Sequence, residues 1–183
     1  MVIRRSRLEG VLVIEPHLIR DQRGYFVETW HVERYAQIGV PATFAQDNRS
    51  CSVRNTLRGL HYQWRRPQGK LVQVVDGEIF DVAVDIRPES PTFGHWEGVH
   101  LSADNFRQYW IPGGFAHGFC VLSDIAVVEY KCTEVYDAGG EAGLLWNDPD
   151  LGIDWPVKDP ILSPKDQAQK RFAEVFGRKP VKP

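Results

Sequence analysis

Three segments of this chain combine residue types that move protons or hold anions. The first runs through Gln46-Asp47-Asn48, then Leu57-Arg58-Gly59-Leu60-His61-Tyr62-Gln63, then Gln68-Gly69-Lys70. A histidine alternating with apolar neighbours in a strand faces one side of a sheet while Leu60 and Tyr62 face the other. A single such histidine is most simply a hydrogen-bonded core residue. Here, however, Lys70 opens the next apolar run, and a second histidine lies in Phe115-Ala116-His117-Gly118-Phe119. Three groups able to carry positive charge near one interior cost desolvation energy unless partners or a ligand compensate, which points to a site. The second segment, 127–136, puts Tyr130 and Tyr136 on one face by period-two alternation. They can pack as ordinary sheet aromatics, or act as a phenolic proton donor and a platform for a flat ring. The third is Leu162-Ser163-Pro164-Lys165-Asp166. Its plain reading is a helix start, with Ser163 as cap and Pro164 in the first turn. An aspartate can also orient a histidine and stabilise its charged form, and the two roles are compatible.

Two histidines among strands also raise a metal site, which needs three or more suitable ligands. Gln63 stands where a second histidine on the His61 face is expected. Lys70 occupies the region where an acid is expected, and a cation there opposes a metal. The expectation is no metal, and no cofactor.

These side chains need a scaffold, and it reads as β. Strand candidates cover 8–16, 25–30, 56–63, 70–75, 78–86, 95–102, 107–111, 115–122 and 125–136. Asp76-Gly77 between two of them is a two-residue hairpin signal. Helix is scarce: 31–38, closed by Gly39, and a short helix after Ser163. Many short strands separated by turn residues predict an all-β fold, a jelly-roll barrel with a few short helices. No linker or repeat interrupts 1–183, so one domain is expected, with the Gly-, Asp- and Pro-rich stretch 137–155 as an ordered loop over one rim. With 43% hydrophobic residues a core can form, and the formal net charge of -2 argues against a nucleic-acid protein. No stretch is long enough to span a membrane, and the start of the chain reads as a strand and not a signal peptide. Cys51, Cys120 and Cys132 show no CxxC spacing and are expected as small buried thiols in a reducing cytoplasm.

The motifs 21–28, Gln46-Asp47-Asn48, 57–63, 68–72, 111–119, Leu145-Trp146-Asn147-Asp148 and 162–166 occur in an order that resembles the dTDP-4-dehydrorhamnose 3,5-epimerases. The resemblance implies a metal-free, cupin-like jelly roll, usually a homodimer, acting on a dTDP-sugar in dTDP-L-rhamnose biosynthesis. It implies inversion at C3 and C5 of dTDP-4-dehydro-6-deoxy-D-glucose, with His61 as base and Tyr130 as acid. Lys70 then stabilises the enolate, and Asp166 holds the tautomer of His61. Arg23, Glu28, Gln46, Asp47, Asn48, Arg58, Lys70, His117, Glu141 and Lys165 match substrate-contacting positions, and Tyr136 matches the ring that stacks on thymine. The family's segment carrying Arg23 and Glu28 crosses to the partner's pocket. Two departures stand out. Arg49 replaces the usual histidine, and strict alternation puts Arg58 opposite His61 unless Gly59 forms a bulge or Arg58 acts from the strand end. The competing readings are a relative inverting only C3 or C5, a metal-dependent cupin enzyme, and a non-catalytic sugar-nucleotide binder. The last has no need of both His61 and Tyr130.

Overall fold

The computed structural model describes residues 1–178 and 180. In chain order its elements are β1 (Val2–Arg5), β2 (Leu12–Glu15), β3 (Leu18–Asp21), β4 (Gly24–Val27), α1 (Val32–Ala36), β5 (Gln46–Val53), β6 (Leu57–Gln63) and β7 (Lys70–Asp76). Then come β8 (Glu78–Asp85), β9 (Trp96–Ser102), β10 (Gln108–Ile111), β11 (Phe115–Val121), β12 (Ile125–Cys132), β13 (Glu141–Gly143), α2 (Pro164–Gln167) and α3 (Phe172–Phe176). A six-stranded sheet in the order β1-β2-β10-β7-β12-β5 faces a five-stranded sheet in the order β13-β6-β11-β8-β9. The pair β3-β4 stands apart. Two facing antiparallel sheets are the expected cupin-like jelly roll.

Alternation sorts the side chains into three apolar layers. Val72, Val74, Tyr109, Ile111 and Val128 of the larger sheet meet Ile79, Ala83, Phe115, Phe119 and Val121 of the smaller one. The outer face of the smaller sheet, with Leu60, Tyr62, Val82, Val84 and Ala116, is covered by Leu144, Leu151, Trp155 and Phe172. The outer face of the larger sheet, with Leu12, Ile14, Leu71 and Trp110, is covered by Tyr35 and Val40. Strands buried on both faces read as near-continuous apolar runs, which is why 82–84 shows little alternation. The stretch 137–155 therefore covers a sheet face as well as a rim, and it contributes β13.

Asp76-Gly77 is not a hairpin turn. β7 pairs with β10 and β12, whereas β8 pairs with β11 and β9, so the chain turns a corner from one sheet into the other. The positive φ that suits a hairpin, 78° at Gly77, serves the corner equally well. A Cβ there would lie 2.1 Å from the carbonyl oxygen of Ile125 and 2.3 Å from Ser123 Oγ. Other expectations are also adjusted. The stretch 8–16 is a strand only over Leu12–Glu15 and pairs with a separate β1. α1 is shorter than expected, capped by His31. Cys120 and Cys132 are buried, but Cys51 is exposed because it faces outward on β5.

Gly77→Ala is expected to lower stability by at least about 1–3 kcal/mol from backbone conformation alone, with the clash adding to it. Urea unfolding checks this, and an unchanged midpoint would show the corner to be yielding.

Candidate active site

One end of the space between the sheets is apolar, and the other opens into a cavity of about 290 Å³. Inward positions of the larger sheet give it Asn48 and Ser50 from β5, Tyr130 from β12 and Lys70 from β7. The smaller sheet gives Arg58, His61 and Gln63 from β6 and His117 from β11. Lys165 and Asp166 of α2, Tyr136 and Glu141 close the rim.

Arg58 and His61 reach this wall together through a register slip. His117 pairs with His61 and Phe119 with Arg58, so Gly59 and Leu60 stand opposite Gly118 alone. Of the two routes open for Arg58, the chain takes the bulge. A Cβ on Gly59 would lie 2.5 Å from Gly118 Cα, so the two backbones can meet only as glycines. Arg49 points the other way on β5, paired with Glu129, and leaves the cavity wall undisturbed.

His61 Nε2 lies 2.5 Å from Asp166 Oδ1, and Ser163 Oγ donates to Asp166 Oδ2 at 2.8 Å. The same Ser163 oxygen accepts the Asp166 N–H and caps α2, so capping and histidine orientation coexist. Burial alone pushes the Asp166 carboxyl up. The hydrogen bond and charge of His61, the Ser163 hydroxyl and the Lys165 charge outweigh this and hold it below its usual 3.8. With Nε2 given to Asp166, Nδ1 is the ring nitrogen available as a base. Burial lowers the Lys70 ammonium pKa, against the opposing pull of Cys132, Asp81 and Glu141. Burial raises the Tyr130 phenol, with Cys132 adding to this and Arg58 opposing it, so the hydroxyl stays protonated at neutral pH. His61 and Tyr130 thus project from different sheets into one space: an imidazole held by a carboxylate on one wall, a neutral phenol on the other.

At the rim, Glu141 Oε2 accepts from Tyr136 Oη at 2.6 Å and lies 2.5 Å from Lys165 Nζ. Among the described residues no three His, Cys, Asp or Glu side chains converge to hold a metal ion, and no helix is long and apolar enough to cross a membrane.

Residues 5–174 match the family model described as dTDP-4-dehydrorhamnose 3,5-epimerase. The chain belongs to this family. The dTDP-4-dehydrorhamnose 3,5-epimerase of Methanothermobacter thermautotrophicus is 52% identical over 173 residues, spanning 93% of this chain and 94% of the relative. A crystal structure of the Legionella pneumophila dTDP-6-deoxy-D-glucose-3,5-epimerase in complex with dTDP-4-keto-L-rhamnose matches with a TM-score of 0.93 at 49% identity. That match covers 96% of this chain and 95% of the other. The dTDP-4-dehydrorhamnose 3-epimerase of Streptomyces niveus is 44% identical over 96% of this chain and 86% of its own length.

Of the residues singled out in the sequence, Asn48, Arg58, His61, Lys70, His117, Tyr130, Tyr136, Glu141, Lys165 and Asp166 line the one cavity. Tyr136 does so from a loop, because β12 ends at Cys132 and strand alternation no longer applies. Gln46 stands behind the wall, accepting the Tyr136 N–H and donating to Asn48 Oδ1. Asp47 points outward to Lys131 at 2.9 Å. Arg23 pairs with Asp21 at 2.6 Å on the exposed β3–β4 hairpin, and Glu28 pairs with Arg34, both away from this cavity. Sequence reasoning missed Asp81, fully buried, which binds His117 Nε2 at 2.8 and 3.0 Å. The signal was present: an acid at an inward position inside the run 79–84 of β8, whose other five residues are apolar, needs a buried partner.

Asp166→Asn is expected to cut turnover by about 10²–10⁴-fold, the range for losing a correctly held general base. Because the folded carboxyl is held below 3.8, its stabilising contribution is complete above that pH and lost as pH falls through the folded value. The variant should lack this part of the acid limb. Turnover near the wild-type value would remove Asp166 from the machinery.

Proposed function

We propose that this chain inverts C3 and C5 of dTDP-4-dehydro-6-deoxy-D-glucose to give dTDP-4-dehydro-L-rhamnose, by proton transfer without metal or cofactor. The observation that carries this reading is the placement of His61 and Tyr130 on opposite walls of one cavity, beside Lys70. The ketone at C4 acidifies the hydrogens on both neighbouring carbons. His61 takes a proton from one face, Lys70 meets the negative charge growing on the ketone oxygen, and Tyr130 returns a proton from the other face. Asp166 keeps the imidazole in the basic tautomer. Arg58 and Lys165 suit the diphosphate oxygens, since such cations bind them through charge-assisted hydrogen bonds. Tyr136 offers its exposed ring to the thymine. Inversion at one carbon only is the second reading, favoured by the Streptomyces niveus relative, which is less similar than the Methanothermobacter one.

In this reading residues 1–183 form one domain that works in the cytoplasm as a homodimer. Residues 179 and 181–183 lie outside the described region. Support for the dimer comes from the β3–β4 hairpin, which exposes Tyr25 and Phe26 at 57% and 67% and carries Arg23 away from its own cavity. A second copy would cover those rings and bring Arg23 and Glu28 to the neighbouring site.

Tyr130→Phe in deuterium oxide, with a chelator present, tests the mechanism. The base still exchanges protons at the carbons beside the ketone, and can return deuterium to the face it came from. NMR should therefore show the ratio of exchange to inversion rising, with wild-type turnover indifferent to the chelator. Exchange and inversion falling in equal proportion would require another donor. Exchange at one carbon only in the wild type would favour the second reading. Light scattering at micromolar concentration should give about twice 20.9 kDa. A fully active monomer would refute the dimer.

A further inference from the structure

The hydroxyl of Ser50 is buried and has no hydrogen-bond partner among the described residues, although its side chain lines the cavity. Buried hydroxyls are normally paired, because leaving one unpaired costs stability. Gln46, Asn48, Ser50 and Ser52 occupy successive inward positions of β5. The other three are engaged: Gln46 with Asn48 and the Tyr136 N–H, Asn48 with Cys132, and Ser52 with Arg58 Nε at 3.0 Å. Only Ser50 is left with nothing to bind within the described chain.

Its neighbour Arg58 is in a similar state. Ser52 holds Nε and so aims the guanidinium, while the terminal nitrogens form no ion pair or hydrogen bond among the described residues. Ser50 and Ser52 are two positions apart on one strand face, about 6.6–6.8 Å. An unused donor and an aimed cation thus flank one patch of wall. The carboxylates of the cavity, Glu141 and Asp166, are already bound elsewhere. A sugar hydroxyl could satisfy Ser50 but would leave the Arg58 charge unmatched. A phosphoryl oxygen satisfies both, since guanidinium and hydroxyl donors pair with anionic oxygens.

We infer that Ser50 is a further substrate-binding residue, donating its hydroxyl to a phosphoryl oxygen of the nucleoside diphosphate beside Arg58. This rests on the sugar-nucleotide reading of the cavity.

The test compares wild type with Ser50→Ala by calorimetry with dTDP, by steady-state kinetics and by thermal unfolding of the free proteins. Loss of one hydrogen bond to a charged group should weaken dTDP binding about 10–100-fold. KM for the dTDP-sugar should rise by a similar factor with kcat changed little, because a phosphoryl contact is the same in ground and transition states. The free variant should melt at the wild-type temperature or above it, since an unpaired buried hydroxyl has been removed. Equal dTDP binding by both proteins overturns the assignment, including the case where KM alone rises, which would move the hydroxyl's partner to the sugar. A lower melting temperature with unchanged KM would make Ser50 structural and overturns it too. Failure of the wild type itself to bind dTDP would instead overturn the sugar-nucleotide reading on which the assignment rests.

Discussion

The contact on which the cavity wall depends is between two pieces of backbone, Gly59 on β6 and Gly118 on β11. A side chain on Gly59 would strike the facing chain. Because neither residue has one, the strands can close while β6 gains a residue relative to its partner. The slip changes the phase of everything before it. Leu57 and Leu60 both turn outward into the layer beneath Leu144 and Phe172, while Arg58 and His61 both turn inward. An unbroken strand would have to place one of those two polar residues in an apolar layer.

The second constraint is charge in a partly dry interior. Each histidine of the wall has its own carboxylate: Asp166 for His61 and Asp81 for His117. Glu141 balances Lys165 and Tyr136 at the rim. Lys70 differs, having no carboxylate within ion-pair distance among the described residues, and burial lowers its pKa. A group whose charge is poorly compensated at rest gains most when negative charge appears nearby, and preorganisation of this kind is a large term in catalysis.

Much of this was legible in the sequence, and what was not has definite causes. Strand periodicity located most of the sheet segments, and the histidine, lysine, tyrosine and aspartate that meet in the cavity could be picked out by chemical type. Asp76-Gly77 misled because the dipeptide reports a local backbone conformation. Which sheet the next strand joins is set by distant partners. The face of Tyr136 could not follow from alternation, because nothing in 125–136 marks the end of β12 at Cys132. β1, β13 and α3 are too short for periodicity to register. The unpaired state of the Ser50 hydroxyl was invisible, since the absence of a partner shows only in the folded structure.

The corner at Gly77 belongs to a wider pattern: strands adjacent in the chain are seldom neighbours in a sheet. β5 lies against β12, β2 against β10, and β6 against β11 and β13. Asp166 reaches His61 across 105 residues of chain. Such a fold cannot grow by zipping successive hairpins, and non-local strand pairing puts small β domains at the slow end of folding rates, milliseconds to seconds. During synthesis the larger sheet is missing its inner strand β12 until residue 132 is made, and the imidazole lacks its carboxylate for another thirty-odd residues. The larger wall is complete only with β12 and the smaller only with β13, and the contact between His61 and Asp166 closes after both, so the whole constellation forms only when nearly all of the described chain has been made.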